Sequence, residues 1–388
     1  VIELTTLLFF IFFGAAIFAT LALWTRQTLL VAYIVLGGVL GPFGFGVIDD
    51  PKLIEQLGEV GIIFLLFLLG LHLEPEKLLK VLKTTLSATV ISSAGFLSLG
   101  YGIGFIAGFT HLEALILGLA MMFSSTILGL KLLPTTVLHH QRIGEMVISI
   151  LLLQDVLAIF VLLCLQSIEP GNFVTWATLA KLFLGLPALV IGAFLIEKYL
   201  LQKLIRQFDK IHEFIFLLAL AWCLAWAEGA NALGLSLEIG AFIAGVSLAQ
   251  CPIARFIAEN LKPLRDFFLI LFFFSLGASV DLNQLPNYIG IALLLSITML
   301  ILKPLIFYFL LNRSFPKKAS AWEVGFRMGQ MSEFSLLLAI VAFETGWIRE
   351  EVGLTLQLAT VFTFIASSYW VTNRYPSPMA VSDKLRRY

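Results

Sequence analysis

The residues best placed to do chemistry are Gln154 and Asp155. They sit together at the centre of MVISILLLQDVLAIFVLLCL (146–165), with about eight mostly apolar residues on either side. A carboxylate at the middle of a bilayer-length apolar helix costs about 3 kcal/mol on an insertion scale. It is tolerated where it faces a cavity, a partner charge or an ion. A structural salt bridge or a neutral carboxyl that pins helices is the plainer reading. A site shared by a cation and a proton is the stronger one, with K⁺ held at Asp155 and Gln154.

Polar groups interrupt two further apolar runs at their midpoints. LEALILGLAMMFSSTILGLKLLP (112–134) carries Phe123-Ser124-Ser125-Thr126. Successive hydroxyls can bond their own backbone and open a helix, leaving carbonyls that suit a dehydrated cation. Ordinary packing of Ser and Thr between membrane helices explains one such stretch equally well. WEVGFRMGQMSEFSLLLAIVAF (322–343), however, carries Gly329-Gln330-Met331-Ser332-Glu333 at its own midpoint. Two equivalent breaks predict crossed half-helices, with Ser125, Thr126 and Ser332 as neutral oxygen ligands. In IALLLSITMLILKPLIFYFLL (291–311), Lys303 precedes Pro304 and needs an anion or the negative ends of helices. Its expected task is charge balance of the crossing dipoles and of Asp155. Arg327 and Glu333, six residues apart, are off the same-face spacing and are expected to pair with other helices.

Other reactive types read as ordinary. His139-His140 falls in a polar stretch between runs and reads as a solvated pair rather than a pH sensor. His72, His111 and His212 lie near run ends without metal spacing. Cys164, Cys223 and Cys251 are too far apart for a disulfide framework or a CxxC metal site, and read as packing residues. The glycines of LGGVLGPFGFG (36–46) have no P-loop or dinucleotide-binding context and read as close helix packing and a helix end.

The elements that must position these residues are membrane helices. The 388 residues are 60% hydrophobic and 13% charged, far from the balance of a soluble enzyme. Equal numbers of basic and acidic residues, 25 of each, leave no basic surface for nucleic acid. Thirteen apolar runs are predicted: 4–24, 28–47, 54–71, 84–109, 112–133, 143–167, 174–197, 212–229, 235–250, 264–280, 286–311, 321–343 and 352–373. They are too long and too continuously apolar for a membrane barrel. With the N-terminus outside, 19 Lys and Arg fall in cytoplasmic segments and 2, Lys52 and Arg349, on the other side. That asymmetry predicts N-out, C-in. No basic n-region precedes the first run, so no cleavable signal is expected. Residues 374–388 read as a cytoplasmic tail or as a linker to a further domain.

An internal repeat ties the halves together. FLLFLLGLHLEPEKL (64–78) resembles LFFFSLGASVDLNQL (271–285), and the same offset of 207 pairs Gly118 with Gly325 and Ser125 with Ser332. The offset spans seven runs, an odd number, so paired helices cross in opposite directions. Such inverted repeats, about 1–167 and 212–373 with 174–197 as connector, characterise secondary transporters with a midplane site.

With these motifs in view, the chain resembles the membrane domain of Kef-type K⁺/H⁺ antiporters, in the second family of monovalent cation/proton antiporters. The carriers are LLGLHLEPEKL, FSST, LLLQDVLAI, FFFSLGASVDL, ILKPL and GQMSEFSLLL, spread over nearly the whole chain. The resemblance implies an all-α polytopic membrane protein with about 13 transmembrane helices and two crossed discontinuous helices, the NhaA-like antiporter fold. It implies a homodimer in the inner membrane and elevator-like alternating access. By motif, Asp155 matches the ion- and proton-binding carboxylate, Gln154 its neighbour and Lys303 the lysine of the core. Relatives that exchange Na⁺ typically carry Asn-Asp or Asp-Asp where this chain has Gln-Asp. Kef proteins usually continue into a cytoplasmic nucleotide-binding regulatory domain, and glutathione adducts gate some of them. This chain has AENLKPLRDFF (258–268) where the gated members carry an acidic loop, which argues against glutathione gating. No cofactor is expected within the chain itself. A cytoplasmic regulatory domain or an ancillary protein is the further partner.

The expected function is K⁺ efflux in exchange for H⁺, with Na⁺/H⁺ exchange as the alternative. A K⁺ channel fits less well, because no TVGYG-like filter appears. An intramembrane enzyme lacks Gly-x-Ser-x-Gly, His-Glu-x-x-His or paired catalytic aspartates.

Overall fold

The computed structural model describes residues 4–25, 27–48, 52–72, 75–133, 142–167, 184–208, 210–233, 235, 237–251, 253–278, 280, 285–312 and 318–377. Among these residues the fold is helical throughout, with no strand. The helices are α1 (Leu4–Trp24), α2 (Leu29–Leu40), α3 (Lys52–His72), α4 (Pro75–Ile106), α5 (His111–Met122) and α6 (Thr126–Lys131). They continue with α7 (Arg142–Ser167), α8 (Leu186–Ile196), α9 (Gln202–Phe208), α10 (His212–Ala232), α11 (Leu237–Leu248) and α12 (Ala254–Ala278). The last four are α13 (Leu285–Leu311), α14 (Lys318–Arg327), α15 (Glu333–Glu344) and α16 (Glu350–Arg374). Among the described residues, five stretches are long and apolar enough to cross a membrane on their own: Thr5–Trp24, Thr85–Ile106, His212–Ala232, Tyr288–Leu311 and Glu350–Arg374.

The two polar midpoints interrupt their helices where expected. Residues 123–125 separate α5 from α6, and 328–332 separate α14 from α15. Other boundaries differ from the hydropathy reading. The connector run, expected to end at 197, continues through a π-helical turn (Glu197–Leu201) into α9; its part before 184 lies outside the described residues. Residues 254–263, left outside the run predicted to begin at 264, lie inside α12, and Pro263 is accommodated within it. Those residues alternate charged and apolar types at helical spacing, so hydropathy averaging misses an amphipathic first half. His139-His140 and the tail beyond 377 lie outside the described residues.

The chain divides into two compact units. The first comprises Val1–Phe12, Leu36–Leu78 and Leu163–Ser279. Its core packs α3, α10, α11 and α12 around Phe67, Leu68, Leu71, Trp222, Ala244 and Leu248. Glycine makes this packing close: a Cβ on Gly245 would stand 2.0 Å from the Phe67 carbonyl oxygen. The expected helix-packing role of the 36–46 glycines appears here too, since a Cβ on Gly37 would meet the Phe274 carbonyl.

The second unit comprises Phe13–Val35, Leu79–Leu162 and Val280–Tyr388. It holds both broken helices, α7 as far as Leu162, α13 and α16, with α13 packed on α14 and α16, and α15 on α5 and α16. The 207-residue offset of the sequence recurs in its architecture. The starts of α5 and α14 are 207 residues apart, as are those of α6 and α15 and the ends of α7 and α16. The contacts repeat as well. A Cβ on Gly118 would stand 2.5 Å from the Leu97 carbonyl oxygen, and one on Gly325 would stand 2.7 Å from that of Pro304, the residue 207 beyond Leu97.

Candidate functional site

The two breaks meet. The Ser125 N–H donates to the Met331 carbonyl at 3.0 Å. The Ser124 hydroxyl donates to the Met328 carbonyl at 3.0 Å, and the Ser335 hydroxyl to the Ala120 carbonyl at 2.6 Å. A helix interrupted in a buried setting leaves N–H and C=O groups without their usual partners, and each must be satisfied locally. Much of the surrounding polar chemistry serves this need.

Gln154, on α7, holds both sides of the first break. Its Oε1 accepts the Ser124 N–H and its Nε2 donates to the Met122 carbonyl, each at 3.1 Å. The next residue, Asp155, is 1% exposed. The Thr126 hydroxyl lies 3.0 Å from its Oδ1 and 2.8 Å from its Oδ2. Asp155 therefore stands beside the first residue of α6. Glu333, the first residue of α15, is buried and close enough for its charge to act on Asp155.

Lys303 is fully buried on α13. Its ammonium donates to the Phe123 carbonyl at 2.6 Å, the Ser124 hydroxyl at 3.0 Å and the Gln330 carbonyl at 3.0 Å. Those three bonds use all three of its protons. Two of the acceptors are the carbonyl ends that follow α5 and α14, where helix dipoles place partial negative charge. The ammonium also stands 5.2 Å from the Phe96 ring centroid. The three contacts set the ammonium against the crossing helix ends whose dipoles it was expected to balance, and none of them is to Asp155.

Ser125 and Ser332 act as helix caps. The Ser125 hydroxyl accepts from the Leu128 N–H at 3.0 Å, and that of Ser332 accepts from the Phe334 N–H at 3.1 Å. Arg327 departs from the reading that paired it with another helix. Its ion pair is with Glu323 on its own helix, 2.7 Å away. Four-residue spacing places the two on one face of α14. Its remaining donors reach the carbonyls of Leu132 and Pro376 at 2.9 and 2.8 Å, tying α14 to the end of α6 and to the chain beyond α16. Burial, with Glu323 nearby, pushes the neighbouring Tyr375 phenol up from its ordinary range.

Some participants were not foreseen. On α16, Thr363 accepts the Met331 N–H at 3.1 Å and Ser367 donates to Gln330 Oε1 at 3.0 Å. Gln330 Nε2 in turn donates to the Ser125 carbonyl at 3.4 Å. Their signal was the spacing of Thr360, Thr363 and Ser367 along one helix face. At the far end of α5, Glu113 forms a two-point bridge to Arg349, at 2.7 and 3.1 Å, and closes a capping box with Thr110. That carboxylate raises the pKa of Arg349.

The Iron transporter MagA of Paramagnetospirillum magneticum (strain ATCC 700264 / AMB-1) is 28% identical over 351 residues, 89% of this chain and 80% of that protein. K(+) efflux antiporter 5 of Arabidopsis thaliana is 27% identical over 394 residues, 99% of this chain and 68% of that protein. The structure of the sodium proton antiporter MjNhaP1 from Methanocaldococcus jannaschii at pH 8 superposes with a TM-score of 0.71 at 18% identity, covering 95% of this chain and 96% of that one. The fold is thus shared with an antiporter of known structure. The profile described as "Sodium/hydrogen exchanger, transmembrane" matches residues 8–372. With that match running almost end to end through a chain of long apolar helices, the protein belongs to the transmembrane sodium/hydrogen exchanger family, multi-pass membrane antiporters of cations and protons.

Proposed function

We propose that the protein exchanges K⁺ for H⁺, with Asp155 as the carboxylate that both ions share. One observation carries this reading: Asp155 is buried beside the meeting point of two helix breaks, and its neighbour on α7 is an amide already committed to the backbone. A bare carboxylate is costly to bury, so it needs a proton or a cation. Either one neutralises it, and the two compete for the same oxygens. A cation there meets one formal charge from α7, with the Thr126 hydroxyl beside it and Ser125, Ser332 and Gln154 as the further candidate neutral oxygens, while Glu333 adds a second carboxylate to the surroundings. A large cation loses its water at lower cost than Na⁺ does and is satisfied by such a shell. The likeness to a K(+) efflux antiporter supports the same choice. The division of the chain into two units, one with both breaks, supports elevator-type alternating access. The reading extends to a homodimer in the plasma (inner) membrane, with the N-terminus outside and the C-terminus in the cytoplasm.

The test is exchange measured by dye quench in proteoliposomes with K⁺, Na⁺, Rb⁺ and Li⁺. K⁺ and Rb⁺ are expected to drive proton movement best, and Asp155→Asn is expected to abolish it without loss of folded protein. A preference for Na⁺ would replace K⁺ as the substrate. Near-normal exchange in Asp155→Asn would refute the assigned site.

A further inference from the structure

The hydroxyls of α16 stand behind the second break, and the transport reading gives them no task. Thr363 has both hydrogen-bonding roles of its hydroxyl filled. It donates to the Thr360 carbonyl at 2.8 Å and accepts the Met331 N–H at 3.1 Å. The Met331 carbonyl then accepts the Ser125 N–H at 3.0 Å. Ser125 directly precedes Thr126, whose hydroxyl contacts both oxygens of Asp155. A line of hydrogen bonds, carried through the Met331 backbone and the Ser125–Thr126 peptide link, therefore runs from the α16 backbone to Asp155. A second line reaches the same place: Ser367 donates to Gln330, and Gln330 donates to the Ser125 carbonyl.

The repeat sharpens the argument. Met331 lies 207 residues beyond Ser124, whose N–H is held by Gln154. Equivalent N–H groups are thus held by an amide from α7 in one half and by a hydroxyl from α16 in the other. The residues of α16 equivalent to Gln154 and Asp155 are Val361 and Phe362, so this half has a bracket but no ionisable group there.

We infer that Thr363 is a positioning residue for the cation at Asp155, acting through Met331 and Ser125, with Ser367 acting in parallel through Gln330. This rests on the reading of Asp155 as the ion site. Replacing the Thr363 hydroxyl with a methyl leaves a buried N–H without its acceptor and frees Ser125-Thr126 to shift. The lost interaction acts on the placement of Ser125-Thr126 beside Asp155, so binding is expected to change more than turnover.

The half-saturating K⁺ concentration, maximal rate and pH profile are to be measured in proteoliposomes for the parent protein, Thr363→Val, Thr363→Ser, Ser367→Ala and Asp155→Asn. Thr363→Val is expected to raise half-saturation about tenfold, the scale of one lost buried hydrogen bond. Its maximal rate should stay within about twofold, and its pH profile should move because cation and proton compete. Thr363→Ser, which restores both hydroxyl roles, should return all three quantities to the parent values. Ser367→Ala should act in the same direction by about threefold, and it carries the test if Thr363→Val does not fold. Parent-like half-saturation and pH profile in Thr363→Val, or in Ser367→Ala if it stands alone, would overturn the inference. So would failure of folded Thr363→Ser to restore them. Exchange persisting in Asp155→Asn would instead remove the site reading on which the inference rests.

Discussion

At the scale of residues, Gln154 shows how a polar side chain in an apolar helix can be occupied by the backbone. Both ends of its amide are bonded across the interruption between α5 and α6. Gln154→Leu preserves approximate volume but leaves the Ser124 N–H and the Met122 carbonyl without these partners. Each such group costs about 1–3 kcal/mol when buried, so a loss of about 2–4 kcal/mol is expected. A thermal midpoint in lipid or detergent reads this directly. An unchanged midpoint would mean that the break does not depend on the amide. Lys303 is committed to backbone in a comparable way, which assigns it to the architecture of the breaks before any part in proton exchange.

At the scale of elements, the two halves rely on the same close approach, Gly118 against the Leu97 carbonyl and Gly325 against that of Pro304. A Cβ at Gly325 would stand 2.7 Å from a backbone oxygen, which no side-chain rearrangement relieves. Gly325→Ala is therefore expected to push α14 away from α13, at the roughly 1–3 kcal/mol typical of an overpacked core. The displacement would carry to the break that α14 leads into, so exchange should fall along with stability. Gly102→Ala is the control, because nothing lies within 4 Å of a Cβ there and Ala favours α4. Thermal midpoints and exchange rates of the two variants should move in opposite senses or, for Gly102→Ala, not at all. Equal losses in both would reject the packing argument.

At the scale of the whole molecule, the charge count around Asp155 governs the response to membrane potential. If one carboxylate carries either a proton or K⁺, the loaded unit has the same charge in both crossings. Exchange is then electroneutral and insensitive to potential, where each uncompensated charge would contribute about 2.3 kcal/mol per 100 mV. No net current is expected on a solid-supported membrane during K⁺/H⁺ exchange. A current that disappears in Asp155→Asn would assign a second titrating group, with Glu333 and Lys303 the candidates. The proposed homodimer predicts a mass near twice 42.9 kDa after correction for detergent. An active species of single mass would reject it.

Much of this was legible in the sequence because it depends on local properties. Continuous hydropathy marked the membrane helices, and clustered Ser, Gly and Gln in otherwise apolar runs marked both interruptions. A shared offset of 207 residues linked those interruptions before any contact was known. Asp155 and Lys303 were conspicuous because an ionisable group is rare in such surroundings. What required the tertiary structure was the destination of each polar group. Backbone atoms freed at a break have no signature in side-chain composition, yet they engage Gln154 and Thr363 and all three protons of Lys303. Their partners lie tens to hundreds of residues away along the chain, as with Lys303 and Phe123, 180 residues apart. Periodicity and spacing along one helix do not reach that far. Only the packing of α5, α7, α13, α14 and α16 brings those ends together, because an unsatisfied polar group is too costly to bury.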